Sequence, residues 1–177
     1  MAREYLKKAT LTAQSDAGDV HDIVQEILTT IEAGGDAAAM EYAAKFDKYD
    51  GNIILSDEEI KAACDLVPDR LKADIQFAHE NVKSFAEAQK TTLVDVEVEI
   101  QPGLLAGQKA IPVSAAGCYV PGGRYSHIAS AIMTVTTAKV AGCNHITATS
   151  PPRPGVGVAP AIVYAAHICG ADKIMAL

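Results

Sequence analysis

The sequence contains no tryptophan, and aromatic residues make up only 5% of its 177 residues. A core with so few large rings must be built from aliphatic side chains. Hydrophobic residues amount to 49% of the chain, which is the usual share for a packed globular protein. Basic residues are also few, because 15 Lys and Arg stand against 22 Asp and Glu, for a formal net charge of -7. This charge argues against a nucleic-acid partner, whose binding surface needs a basic face.

Cysteines at metal-binding spacing are missing as well. The four cysteines are widely separated and form no Cys-x-x-Cys pair, which argues against a zinc knuckle or a thioredoxin-type site; they are Cys64, Cys118, Cys143 and Cys169. No apolar run reaches the length of a membrane span, and the charged residues 1–8 do not resemble a signal peptide. We therefore expect a reduced, cytoplasmic protein that does not bind a membrane.

The periodicity of apolar residues changes near residue 93. Before it, residues 1–92 are predicted to form a helical region, with a helix end at Gly34-Gly35 and a capping box at Ser56-Asp57-Glu58-Glu59. After it, alternation from Val94 to Ile100 and the turn at Gln101-Pro102-Gly103 predict a β-hairpin over residues 93–112. One face of this hairpin should be solvated.

From residue 113 onward, strands alternate with helices. The predicted elements are a buried strand at 115–120, a helix at 126–141, a strand at 145–149, a helix at 160–169 and a strand at 173–177 with an open edge. This alternation predicts a parallel sheet with right-handed crossovers. The fold class is therefore α/β: N-terminal helices and a β-hairpin followed by a partial, Rossmann-like βαβαβ unit over 113–177.

Ligands of parallel sheets bind beyond the carboxyl ends of the strands, and a loop with candidate binding residues follows the first strand. Tyr119 could stack on an aromatic base or pack within the strand. Pro121, Gly122 and Gly123 could admit an anion close to the backbone at the start of a helix, or could simply turn the chain tightly. The loop is not a G-x-G-x-x-G fingerprint, and no acidic residue ends the second strand to hold a ribose.

Two further residues of this loop are candidates for substrate binding. Arg124 would add a positive charge near the start of a helix, which suits a carboxylate, phosphate or sulfonate, although an exposed surface arginine is the alternative. His127 lies at the start of the helix and could face a ligand. By contrast, Asp95, Glu97 and Glu99 alternate on a strand without a nearby histidine, which favours a solvated face over a metal site.

Several of these segments resemble the histidinol dehydrogenase family. They are Tyr119-Val-Pro-Gly-Gly123, Ala138-Lys-Val-Ala-Gly142, Ser150-Pro-Pro152, Glu41-Tyr-Ala-Ala-Lys-Phe-Asp47 and Asp95-Val-Glu-Val-Glu-Ile-Gln-Pro-Gly103. Members of that family are homodimers that use NAD and zinc to oxidise an alcohol through an aldehyde to an acid. The resemblance implies an NAD-dependent oxidoreductase that acts on the CH–OH group of a small molecule. It also makes Tyr119 an NAD contact, with Pro121, Gly122 and Gly123 beside it.

The sequence after Gly123 narrows the resemblance. The biosynthetic enzyme has Ser or Thr and then Ala-Pro there, whereas Arg124-Tyr-Ser-His127 looks like a branch of the family that oxidises dihydroxypropanesulfonate to sulfolactate. Residues 5–8 and 150–158 look like the same branch. A sulfonate would give Arg124 an anionic partner. Histidinol is the alternative substrate, and a non-catalytic α/β ligand-binding or interaction module is the alternative of another class.

The resemblance also implies that this chain is the N-terminal part of a longer enzyme. In the family, the zinc ligands and the paired Glu and His of catalysis match positions beyond Leu177. We therefore expect this chain to supply part of an NAD-binding domain, but neither catalytic residues nor metal ligands.

Overall fold

The computed structural model describes residues 17–122 and 125–177. Within these ranges, three helices precede a β-hairpin, and a parallel βαβαβ unit follows, which confirms the predicted α/β class. The helices are α1 Ala17–Tyr42, α2 Asp57–Asp65, α3 Asp69–Lys90, α4 Ile128–Ala141 and α5 Pro160–Ile168, with a short π-helix at Ala43–Asp47. The strands are β1 Val96–Gln101, β2 Leu104–Gln108, β3 Ala115–Tyr119, β4 His145–Ser150 and β5 Lys173–Ala176.

The chain forms two compact units, one that ends at Tyr42 and one that runs from Ala43 to Leu177. The first contains α1, whose helical path breaks at Gly35 (φ 57, ψ -141), within the glycine pair that predicts a helix end. Glycine adopts this left-handed conformation without the steric cost that a Cβ would impose. The division of the sequence into segments 1–92, 93–112 and 113–177 stays a prediction.

The start of α2 carries the predicted capping box. The Ser56 hydroxyl accepts a hydrogen bond from the Glu59 N–H at 3.2 Å, and the Glu59 carboxylate accepts one from the Ser56 N–H at 2.7 Å. These bonds satisfy two backbone donors that a helix start leaves unpaired. α2 packs against α5, and the longer α3 packs along α4. None of the helices in the described ranges is both long and apolar enough to cross a membrane.

The antiparallel hairpin β1–β2 is exposed on both faces. The expectation of a single solvated face is therefore wrong for this chain, because no described element covers the apolar face of Val96, Val98 and Ile100. The neighbouring carboxylates have local backbone partners. Asp95 accepts a hydrogen bond from the Ala110 N–H at 3.0 Å, and Glu99 accepts one from the Gly103 N–H at 2.7 Å. These contacts give both residues a role in shaping the hairpin.

The parallel sheet has the order β3-β4-β5. α4 and α5 contact each other and the strands, and they cover one face of the sheet. The predicted burial of the first strand is therefore correct for only one of its faces. Cys118 and Val120 are buried, whereas Ala115, Gly117 and Tyr119 point to the uncovered face. A parallel strand is buried on both sides only when helices cover both faces.

The two edges of this sheet differ. The prediction of an open edge at 173–177 is wrong, because the segment before α2 pairs with β5 in antiparallel fashion through Ile54 and Met175. The Leu55 N–H donates to the Ile174 carbonyl at 3.0 Å, and the Ala176 N–H donates to the Ile53 carbonyl at 2.7 Å. The outer edge of β3 has no strand partner among the described residues.

Candidate functional site

The carboxyl ends of β3 and β4 lie side by side, as the sequence predicts. Tyr119 is the register partner of Thr149, and the Val120 N–H donates to the Thr149 carbonyl at 2.8 Å. The two loops that follow, residues 120–127 and 151–159, therefore begin next to each other. In parallel sheets this edge is the usual location of a ligand.

Tyr119 lies at this edge on the uncovered face of the sheet. It is 59% exposed, so it is not a packed core tyrosine. Its neighbours across the face are Thr149 and Met175, which follow it in register. The Thr149 hydroxyl donates to the Leu177 carbonyl at 3.0 Å. The ring is thus accessible and stands on a fixed strand, as a stacking platform requires. Its role as a ligand contact stays a prediction.

Gly122 has a steric reason to be glycine that the sequence does not reveal. An ideal Cβ at this position would lie 3.0 Å from the carbonyl oxygen of Pro151 and 3.2 Å from its Cδ. Gly122 and Pro151 therefore bring together the beginnings of the two loops that follow β3 and β4. Pro121 and Gly122 are half-buried there. Close approach of the two loops therefore accounts for this glycine without any ligand, which was one of the two interpretations left open by the sequence.

Gly123 and Arg124 lie outside the described residues, so their proposed roles stay predictions. His127 occupies the N-cap position of α4, where its side chain makes no capping hydrogen bond and is exposed. Its carbonyl accepts from the Ser130 N–H at 3.0 Å. The first turn of α4 contains no acidic residue. The edge thus combines an exposed imidazole side chain with a helix start that favours negative charge.

The second loop contains a compact turn, residues 153–157, which we call the Arg153 turn. The Arg153 N–H donates to the Gly157 carbonyl, and the Gly157 N–H donates back to the Arg153 carbonyl, both at 2.9 Å. Gly155 (φ 70) and Gly157 (φ 78) adopt left-handed conformations that other residues reach only with strain. Just before the turn, the buried hydroxyl of Ser150 has no hydrogen-bond partner among the described residues. The sequence indicates residues 150–158 as the second segment at a carboxyl end of the sheet with candidate chemistry, but the reciprocal hydrogen bonds of the turn depend on the fold.

A cluster of titratable groups lies away from this edge, between α3, α4 and the end of α5. His79 Nδ1 is 3.0 Å from the Thr136 hydroxyl and 3.3 Å from Cys169 Sγ. Burial, and secondarily the charge of Lys83, lowers the pKa of His79. Burial also raises the pKa of the Cys169 thiol, which disfavours the nucleophilic thiolate. This cluster joins three helices and lacks the features of an activated cysteine.

The described residues do not bring together three potential metal ligands of the His, Cys, Asp or Glu type. Burial raises the pKa of the Cys118 thiol, and a hydrogen bond with Thr134 only partly offsets the effect. Over the described ranges, the chain thus presents a candidate binding edge at the carboxyl ends of β3 and β4, and these ranges contain no cluster of three potential metal ligands.

Comparison with known proteins identifies similar chains. A family model described as histidinol dehydrogenase matches residues 10–177. The sulfopropanediol 3-dehydrogenase of Ruegeria pomeroyi is 75% identical over 100% of this chain and 41% of its own length. A histidinol dehydrogenase homolog of the same organism is 50% identical over 97% of this chain and 40% of its own length.

A solved structure shares the fold. The crystal structure of histidinol dehydrogenase from Elizabethkingia anophelis matches with a TM-score of 0.83 and 32% sequence identity, over 96% of this chain and 38% of that one. The chain therefore spans about two fifths of the length of the relatives that it matches.

Proposed function

The chain belongs to the histidinol dehydrogenase family, and on that premise we propose that it is the N-terminal part of an NAD- and zinc-dependent dehydrogenase that oxidises dihydroxypropanesulfonate. The observation that carries the choice of substrate is the difference in identity: 75% with a sulfopropanediol dehydrogenase against 50% with a histidinol dehydrogenase homolog. The family resemblance also supports a homodimer in the cytoplasm as part of this proposal.

We propose that NAD lies along the carboxyl edge of the sheet, next to Tyr119, Pro121, Gly122 and Gly123. NAD would supply the hydride acceptor. The exposed ring of Tyr119 would stack on a ring of the cofactor. The glycines after Pro121 carry no side chain, so the cofactor could approach the backbone of the first loop closely. The α4 N-terminus would stabilise a nearby phosphate, because the positive end of the helix dipole lies there, its N-cap residue makes no side-chain capping hydrogen bond and its first turn carries no acidic residue.

The free edge of β3 supports this location. In the common dinucleotide-binding sheet, the first three strands lie in the order 3-2-1 and the fourth adds beside the first, which creates a crevice at that point. Here β3 is the first strand, its outer side is unpaired among the described residues, and β5 is already covered by residues 53–55. Further strands would therefore pair with β3, and the crevice would open next to Tyr119.

The described residues do not fit a zinc site, since they offer no cluster of three ligands. We therefore place the zinc ligands and the catalytic base in the remainder of the longer protein. It follows that this chain alone should not reduce NAD in the presence of dihydroxypropanesulfonate or histidinol, with or without added zinc. Purified chain that forms NADH at a measurable rate would contradict this division of labour.

The substrate is tested in the longer protein by comparing kcat/KM for dihydroxypropanesulfonate and for L-histidinol. Histidinol is the second candidate, because a histidinol dehydrogenase homolog also matches 97% of this chain. A higher kcat/KM for histidinol would reject the sulfonate. No turnover of either alcohol by a folded longer protein would favour the non-catalytic binding module.

Arg124 provides a finer test of the same proposal. If its guanidinium binds the sulfonate, Arg124→Ala should raise KM for dihydroxypropanesulfonate by roughly tenfold to a hundredfold, the loss of about 1.5–3 kcal/mol from a charged hydrogen bond. NAD affinity should stay nearly constant. Unchanged KM would remove Arg124 from the substrate site, and equal losses for substrate and NAD would place it on the cofactor phosphates.

A further inference from the structure

The β1–β2 hairpin and the segments that join it to the rest of the chain stand apart from the core. Every residue from 91 to 115 is exposed, and each strand of the hairpin packs mainly against the other. A two-stranded hairpin without a further layer is at best marginally stable in water. The described residues do not supply the layer that a stable hairpin needs.

One face of this hairpin is apolar and the other carries carboxylates. The register pairs Val98 with Ala106, so alternate residues of both strands share a face. The apolar face consists of Val96, Val98, Ile100, Leu104 and Ala106. Glu97 and Glu99 lie on the opposite face. This division is typical of antiparallel strands that pack one face on a core and leave the other in water.

The apolar surface continues from the strands to the base of the hairpin. Val98 in the first strand is 52% exposed, and at the base Leu93 is 66% and Ile111 is 80% exposed. Val94 and Val113 are exposed there as well. A run of exposed apolar side chains on this scale marks an interaction surface rather than ordinary solvent-facing structure.

Resting on the proposal that this chain is the N-terminal part of a longer enzyme, we propose that the apolar face of the hairpin is the docking surface for the remainder of the same polypeptide. The relatives support this occupant, because the chain covers only 41%, 40% and 38% of their lengths. Most of such a protein is therefore available to cover the hairpin. The docking element is an apolar helix or sheet face, since this side of the hairpin offers aliphatic side chains and no charge.

The position of the hairpin in the chain favours the same occupant. Its second connecting segment leads directly into β3, whose outer edge has no strand partner among the described residues. Strands that the remainder adds to β3 would lie close to the base of the hairpin, because Val113 is two residues from the start of β3. A second copy of the chain fits less well. Two hairpins packed face to face would shield the strands of each other and leave the apolar base in water.

The acidic face of the hairpin stays in water in this arrangement, because the burial of unpaired carboxylates is costly. Val98 and Glu97 are therefore a matched pair of neighbouring positions on opposite faces. Both are exposed in this chain, but only Val98 is covered in the longer protein.

The rate of thiol labelling tests this difference. Val98→Cys and Glu97→Cys are prepared in this chain and in the longer protein, and peptide mass spectrometry locates the label. Val98→Cys should react at least about tenfold more slowly in the longer protein than in this chain, because the reaction then requires local opening. Glu97→Cys should react at similar rates in both. Continued protection of Cys118, which is 4% exposed, shows that each protein is folded.

Equal rates for Val98→Cys in the two folded proteins would overturn the inference. Equal protection of Val98→Cys and Glu97→Cys in the longer protein would overturn it too, because the acidic face would then be covered as well.

A photoreactive amino acid in place of Val98 identifies the occupant. The longer protein is assembled from isotopically light and heavy chains, and the expected cross-link joins position 98 to a residue beyond 177 within one chain. Cross-links between light and heavy chains would assign the face to a second copy and overturn the inference. Cross-links to another part of residues 1–177, or quenching by water alone, would also overturn it.

The proposed function and this inference can fail separately. If the longer protein oxidises dihydroxypropanesulfonate while Val98→Cys reacts equally fast in both proteins, the proposed function stands and the docking surface is rejected. If Val98→Cys is protected in a longer protein that oxidises neither alcohol, the docking surface stands and the dehydrogenase proposal fails.

Discussion

Replacing Gly122 by alanine tests the contact between the two loops at the carboxyl edge of the sheet. The added Cβ would lie 3.0 Å from the Pro151 carbonyl oxygen, 3.2 Å from its Cδ and 3.3 Å from its Cβ. These distances are shorter than an ordinary van der Waals contact, and the oxygen belongs to the backbone, so one of the loops must shift. We expect Gly122→Ala to lower the free energy of unfolding by about 1–2 kcal/mol, as overpacking does in a well-packed site.

Gly117→Ala is the matched control in the same strand. A Cβ at Gly117 would meet no atom within 4 Å, and Gly117 is not among the glycines with positive φ. Alanine restricts the unfolded chain more than glycine does, so this change should stabilise the protein by about 0.4–1 kcal/mol or leave it unchanged. Both variants share this effect on the unfolded state, and their difference therefore isolates the contact with Pro151.

Urea unfolding followed by circular dichroism measures both changes. The midpoint should fall for Gly122→Ala and hold or rise for Gly117→Ala, with equal slopes for both variants, because the area exposed on unfolding is the same. If the two substitutions change the midpoint equally, the close approach of Pro151 does not constrain Gly122. The glycine would then have to be explained by ligand binding alone.

Two further predictions concern the cofactor and the helical layer. Tyr119→Ala should weaken NAD binding by roughly 1–3 kcal/mol, which is the range for a base stacked on an aromatic ring. The control Phe77→Ala removes a 68% exposed ring from α3 and should leave NAD binding unchanged. Equal NAD titration curves for the unmodified chain and both variants would contradict the stacking role of Tyr119. Burial lowers the pKa of His79 in the folded chain, so the unfolded chain binds this proton at a higher pH than the folded chain does. The free energy of unfolding should therefore be highest above about pH 6.5 and should fall as the pH decreases toward the folded pKa. Urea midpoints measured from about pH 8 to pH 5 should show a smaller loss in His79→Gln, and an identical pH profile would refute this assignment.

The sequence predicted those features of the fold that local patterns determine. The capping box at Ser56 depends on residues 56–59 alone, and the end of α4 at Gly142 depends on a glycine in the left-handed conformation. The order of strands and helices after residue 113 follows from stretches of apolar residues that are each continuous in sequence.

The features that the sequence did not predict depend on contacts between distant segments. Residues 53–55 cover the edge of β5, but three residues are too few to show a strand period. The exposure of Tyr119 and Gly117 depends on which face α4 and α5 occupy, and an alternation of side chains does not reveal that. The reason for Gly122 lies in Pro151, which is adjacent only after β3 and β4 have paired.

These non-local features bear on the candidate site together. Tyr119 lies on the uncovered face of the sheet, at the carboxyl end of β3. The outer edge of β3 has no strand partner among the described residues, whereas residues 53–55 cover the opposite edge, at β5. In the proposed function, the remaining strands would add beside Tyr119 and would form the second wall of the crevice. A cofactor bound to this chain alone would then contact one wall only and would leave much of its surface in water. We therefore expect the longer protein to bind NAD more tightly than this chain, and titration of both proteins with NAD measures the difference. Equal affinities would contradict a second wall beside Tyr119.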